Sequence, residues 1–260
     1  MQTSANNQNS DQSSERKIAL ELIDLKKSFG EKVIHRGVSL KLFEGEMMGL
    51  FGGSGTGKSV LIRSIIGLDR PDSGKVIFEG RDLLTLTEHQ LYDVRTRIGF
   101  VFQNGALFDS LTVEENLAYP LREHGKISEA EIQKRIEAML ELIDMKGSND
   151  LLPNELSGGM QKRAGLARAT ILQPKVILFD EPTAGLDPVN TRRLTANINK
   201  LKERGITGIF VTHDIPAAFE ICDRITILNE GKVHVVDTVE AIKHSQDPFV
   251  QSFVQGAYYS

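Results

Sequence analysis

The sequence predicts an α/β fold: a parallel-sheet core, an antiparallel β segment on its N-terminal side and an inserted helical segment. Three observations carry this. Residues 47–51 are a short apolar run ending in glycines, and Val60, Leu61, Ile65, Ile66 and Leu68 follow at helical spacing, so the order is strand, loop, helix. Residues 176–228 alternate between apolar strands (176–179, 207–211, 224–228) and helical stretches (about 191–203, and 215–221), as in a parallel sheet whose connections run over its faces. Residues 128–145 place Ile132, Ile136, Met139, Leu140 and Ile143 on one helical face, with Ser128 and Glu131 at capping-box spacing.

In chain order, residues 1–16 hold Gln, Asn, Ser and Asp with almost nothing to bury, and read as a solvated polar tail without a signal peptide. Apolar runs at 18–25 and 33–42, broken at 28–32, predict antiparallel strands around a turn. Further strands are expected at 74–78, after a turn at 71–73, and at 98–102. A folded unit over 17–245 with a helical subdomain at about 104–172 follows, leaving 246–260 as a C-terminal extension. With 260 residues, 40% hydrophobic, the chain holds material for one core, or one core and a satellite. A net charge of -4, with no Lys/Arg-dense run, argues against nucleic acid as a partner. No run approaches the roughly 18 apolar residues of a membrane span, so a membrane role has to come through a partner. The only cysteine, Cys222, excludes an internal disulfide and reads as a small buried residue.

Gly52, Gly53, Ser54, Gly55, Thr56, Gly57, Lys58 and Ser59 have the spacing of a P-loop, and they sit between a predicted strand and a predicted helix. Glycines let successive backbone N–H groups turn onto phosphates; Lys58 reaches the β and γ oxygens and Ser59 can ligate Mg²⁺. Asp180 and Glu181 end the strand at 176–179. Strand alternation would send Asp180 toward Mg²⁺ and Glu181 toward the attacking water. His213 follows the strand at 207–211 on the same sheet edge, within reach of the γ-phosphate or that water. Gln103, after the strand at 98–102, can offer its amide to both the metal and the water. Leu156, Ser157, Gly158, Gly159 and Met160 precede a helix expected at about 161–172; a glycine-rich helix start is a second phosphate site, while Ser157 also fits a plain N-cap.

In this order, residues 52–59, Gln103, 156–160, 179–181, 184–187 (Ala-Gly-Leu-Asp) and His213 resemble the ABC-type ATPases, over residues 18–231. The resemblance implies a P-loop NTPase fold that hydrolyses ATP with Mg²⁺. It implies that Phe29 stacks on adenine, that residues 52–59 with Val60 hold the phosphates, and that Ser59, Gln103 and Asp180 serve the metal. Glu181, His213 and Gln103 become the catalytic set, and Ser157, Gly158, Gly159 and Asp187 approach nucleotide held by a second copy, in a head-to-tail homodimer. Met160 departs from the commoner glutamine. Residues 102–108, 118–124 and 247–253 resemble the Mla-type lipid-asymmetry ATPases. That likeness implies a peripheral subunit on the cytoplasmic face of a bacterial inner membrane. It also implies an integral membrane permease, an MCE-domain periplasmic lipid-binding protein, a small STAS-domain regulatory subunit, and phospholipid as cargo between inner and outer membranes. Phe102, Leu107, Phe108 and Leu111 either pack inside the insert or, by the same resemblance, line a groove for a permease coupling helix. Phe249, Phe253, Tyr258 and Tyr259 are costly to leave exposed, so the extension is expected to reach the partner subunit. The alternatives are an ATPase for an amino-acid or other small-solute importer, and a non-transport ABC ATPase.

Overall fold

The computed structural model describes residues 16–124 and 126–256. Most of the polar tail expected at 1–16, together with Tyr258 and Tyr259, lies outside the described residues.

Strands β1 (Ile18–Phe29) and β2 (Lys32–Phe43) pair antiparallel across a two-residue turn, with Phe29 opposite Lys32, and extend further than the apolar runs suggest. β3 (Met47–Gly52), fully buried, feeds α1 (Lys58–Ile65). β4 (Ser73–Phe78) and the two-residue β5 (Arg81–Asp82) return to the first sheet, and α2 (Glu88–Arg95) leads into β6 (Ile98–Val101). Three helices follow: α3 (Val113–His124), α4 (Glu129–Leu142) and α5 (Gly158–Thr170). The chain then alternates through β7 (Val176–Asp180), α6 (Pro188–Lys202), β8 (Thr207–Val211), α7 (Ile215–Ile221) and β9 (Arg224–Asn229). It closes with β10 (Lys232–Thr238), α8 (Val239–Lys243) and α9 (Pro248–Gly256).

Two sheets result. The first, in order β2-β1-β4-β5, is antiparallel; the second, in order β10-β9-β3-β8-β7-β6, is parallel except for β10. One apolar cluster joins Leu20, Leu22 and Val76 of the first sheet to Leu61 and Ile65 of α1 and to Leu50 of β3. A second packs α6 and α7 on the other face of the parallel sheet, and a third lies among α3, α4 and α5. Because β3, β7 and β8 run parallel, Gly52, Asp180 and Val211 all fall at one edge of the sheet, the edge where open α/β sheets hold ligands.

Several boundaries differ from expectation for local reasons. α5 begins at Gly158 rather than near 161, since the Ser157 side chain caps it by accepting from Met160 N. Ser128 caps α4 by accepting from Glu131 N, but the Glu131 carboxylate pairs with Arg135 at 2.9 Å, so the reciprocal half of the capping box is not made. α3 carries Pro120 internally. Phe102 and Phe108 are exposed (38% and 44%) rather than packed inside the insert, while Leu107 is half-buried against the third cluster. The C-terminal extension is also accounted for within its own chain as far as it is described: Val250 is fully buried, and Phe249 and Phe253 pack on the second cluster. A hydrogen bond between His234 Nε2 and Asp247 Oδ2, 2.8 Å, fixes the entry to α9.

Candidate nucleotide-binding site

The loop between β3 and α1 is a cradle built for something other than a side chain. Gly57, at the N-cap of α1, has φ 92, and a Cβ there would come within 2.7 Å of His35 Nε2, so only glycine fits. The first turn of α1 holds no acidic residue, which leaves its positive end open to an anion. Lys58 is buried, and its Nζ donates to the carbonyls of Gly52 (2.8 Å) and Gly53 (3.2 Å), folding the ammonium back over the loop. Burial lowers the Lys58 pKa, against the opposing pull of the Glu181 and Asp180 carboxylates.

Ser59 Oγ donates to Asp180 Oδ1 at 2.7 Å, joining the start of α1 to the end of β7. A hydroxyl beside a carboxylate is a hard-oxygen donor pair that suits Mg²⁺. Glu181 lies beyond the strand with φ 49, its N–H donating to Val211 O at 2.9 Å. Its carboxylate therefore diverges from Asp180 because the chain enters a left-handed turn, not because of strand alternation. His213 Nε2 lies 3.0 Å from Glu181 Oε1. His213 thus lies beside the Glu181 carboxylate, on the sheet edge where its reach toward phosphate or water was expected. An open pocket of about 370 Å³ spans Phe29, Ser54, Gly55, Lys58, Glu181 and His213, with Ser59 and Val60 in its wall. Phe29 is 48% exposed at the mouth, with the Lys27 ammonium 4.8 Å from its ring centre.

Gln103, Ser157 and Gly158 are exposed and do not line that pocket, and neither do Gly159 and Asp187. Asp187 caps α6, accepting from Val189 N (2.9 Å) and Asn190 N (3.0 Å). Those bonds, with Asn190 the largest contributor, lower its pKa.

Comparison with known proteins adds the family. The model of the ABC transporter family matches residues 35–184. The chain belongs to that family. It is 41% identical over 240 residues to the "Probable ribonucleotide transport ATP-binding protein mkl" of Mycobacterium leprae, covering 92% of this chain and 69% of that protein. It is 37% identical over 238 residues to the "Intermembrane phospholipid transport system ATP-binding protein MlaF" of Escherichia coli, covering 91% and 88%. The dimeric post-hydrolysis state of the ATP-binding cassette MJ0796, bound to ADP and Pi, superposes with a TM-score of 0.77 at 34% identity, covering 85% of this chain and 98% of that one. The cbiO1 protein of Clostridium perfringens, part of the ABC transporter complex cbiONQ, superposes at 0.81 with 28% identity, covering 89% and 92%. This ABC protein binds ATP and hydrolyses it.

One residue of this ABC site is not signalled by any motif. His35 of β2 is buried and its Nε2–H donates to Gly57 O at 3.1 Å, supporting the loop from behind. No sequence signal marks it: strict alternation sets His35 with Ser39 and Lys41, and the register shift between Arg36 and Val38 is what turns it inward. Burial, the larger effect, lowers the His35 pKa below 6.5 although the Gly57 carbonyl favours the charged form. The folded state therefore binds fewer protons at this ring than the unfolded state does. Its contribution is fully present above pH 6.5 and is lost as pH falls toward the depressed value. Urea unfolding at pH 7.5 and 5.5 is expected to show a larger acid-induced drop in midpoint for the parent than for His35→Phe. Equal drops would remove His35 from this role.

Proposed function

We propose that two copies of this chain close head to tail around two ATP molecules and drive a membrane permease that moves phospholipid between the inner and outer membranes. The observation that carries the ATP half is the convergence of Lys58, Ser59, Glu181 and His213 around one pocket at the loop, with Asp180 joined to it through Ser59. The cargo half is supported by likeness to MlaF over 88% of that protein's length.

In this reading Lys58 leaves the carbonyls of Gly52 and Gly53 and turns to the β and γ oxygens of ATP, while the loop N–H groups hold the phosphates. Phe29 stacks on the adenine, beside Val60 and the wall of the pocket. Ser59, Asp180 and Gln103 would hold Mg²⁺, which would supply charge neutralisation for the phosphates. Glu181 accepts the proton of the attacking water, and His213, with Nε2 3.0 Å from its Oε1, flanks the carboxylate. Ser157, Gly158, Gly159 and Asp187 of the second copy complete the enclosure and exclude water. Among the described residues no helix is long and apolar enough to cross a membrane, which suits a peripheral subunit on the cytoplasmic face.

The exposed aromatics of the insert support a permease contact. Phe108 stacks with Tyr119 at 5.1 Å beneath the Arg168 guanidinium, and the loop under them is pinned by buried Asn116, whose Nδ2 donates to the carbonyls of Phe108, Leu111 and Thr112. Phe102, Leu107 and Leu111 flank the same loop, where an incoming permease helix would bury them. An MCE-domain protein and a STAS-domain subunit complete the assembly in this proposal.

A second cargo is favoured by one finding, the 41% identity to a protein named for ribonucleotide transport, although this chain spans 69% of that protein. Purification of the full complex in detergent, followed by mass spectrometry, separates the cases. Stoichiometric phospholipid with an MCE-domain partner is the expected result. Retained ribonucleotide, or a soluble solute-binding partner in place of the MCE protein, would overturn the lipid assignment.

A further inference from the structure

The first turns of α5 are held by three separate segments. Gly159 lies against α6: a Cβ there would come within 2.5 Å of Asn190 Oδ1, and Asn190 Nδ2 donates to Asp187 Oδ2 at 2.5 Å. Gly165 lies against the loop after β6, where a Cβ would come within 2.6 Å of the Gly105 backbone. Lys162, half-buried, reaches the segment after β7 and donates from Nζ to the Ala184 carbonyl. One of these ties is a close approach to backbone and one to the Asn190 side chain. The third is made by one charged side chain, and it meets a turn of particular interest: Ala184 N donates to Glu181 O at 3.2 Å, so Lys162 grips the turn on which Glu181 stands. Burial lowers the Lys162 pKa and the Glu181 carboxylate opposes that shift, so the two charges sense each other.

We propose that Lys162 is a positioning residue that ties the turn carrying Glu181, which serves the chain's own ATP, to the helix that begins at Ser157 and serves the ATP of a second copy. The inference rests on the two-copy site proposed above. The two ATP sites are then coupled through the body of each chain as well as across the interface. A shift of Glu181 on hydrolysis pulls on Ala184, then on Lys162, and so on the Ser157 end of α5. This is a route between sites made of named contacts rather than of distance alone.

The test uses the full chain with Lys162→Met, which keeps length and removes donor and charge, and Lys162→Arg, which keeps both. For Lys162→Met the expected result is a kcat lowered about tenfold with KM changed less than about twofold, and a Hill coefficient for ATP below that of the parent. Monomer affinity for a fluorescent ATP analogue stays at the parent value, and Lys162→Arg recovers most of kcat. Parent-like kcat and Hill coefficient in Lys162→Met would overturn the proposal, as would an Arg variant no better than the Met variant, which would mark the role as packing. ATP-driven dimerisation of a Glu181→Gln chain reads the underlying assumption separately. If that dimer forms and the Lys162 variants are silent, this inference alone falls; if no dimer forms, both fall.

Discussion

Replacing Glu181 with Gln is expected to lower steady-state ATP hydrolysis by about a thousandfold while leaving ATP binding intact, and to trap a closed dimer. The amide keeps the size of the carboxylate and fits the same place beside His213 Nε2, which lies 3.0 Å from Oε1 in the parent. What it loses is the ability to take a proton from water. The neighbouring Ser59–Asp180 bond, 2.7 Å, is untouched, so that pair and the loop retain their geometry. With binding energy preserved and its release blocked, the ATP-bound closed state accumulates. Phosphate release and size-exclusion chromatography with ATP read the two halves of this prediction, and parent-like hydrolysis would remove Glu181 from the base role.

The second large effect is expected from Ser157→Arg. Ser157 is exposed and does not line the pocket around the loop of its own chain, so monomer affinity for ATP should not change. Hydrolysis should nevertheless fall on the order of 10²- to 10³-fold, the size of losing a donor aimed at developing charge, at the site that Ser157 faces. The variant also loses the cap on α5, but a lost cap costs about 1 kcal/mol, too little to unfold the helix against its buried contacts. Circular dichroism separates the two causes: an unchanged spectrum with lost hydrolysis is the predicted pairing. Full activity in Ser157→Arg would mean that a site within one chain suffices.

Elements governed by local pattern were legible in the sequence. β8 and α7 have the bounds their periodicity predicts, because each lies between clear turn or capping residues. The convergence of Lys58, Glu181 and His213 was legible because a strand-loop-helix followed by parallel strands forces their ends to one sheet edge. What failed was set by tertiary structure. α3 went unread although Val113, Leu117 and Leu121 recur every four residues, since Pro120 interrupts the pattern and only packing in the third cluster holds the helix through it. β10 turns antiparallel at the sheet edge, and α9 folds back on its own chain, through contacts far apart in sequence. The left-handed turn at Glu181 is invisible to alternation, since a residue followed by proline in an apolar-to-acidic run reads as a strand end. Lys162 was also unreadable: its partner, Ala184, is brought to it by the packing of α5 against β6 and α6.

The central claim is that each catalytic site takes its loop from one chain and its Ser157 helix start from another. It is tested by mixing two inactive variants, Lys58→Ala and Ser157→Arg, and measuring ATP hydrolysis. A mixed dimer holds one site with an intact loop and an intact Ser157, and one site with neither. The account predicts that equal amounts, each inert alone, regain hydrolysis to at most about a quarter of the parent rate, from half the dimers being mixed and half their sites being whole, with coupling between the sites lowering it further. A mixture that stays inert while the two chains co-elute as an ATP-dependent dimer would contradict it.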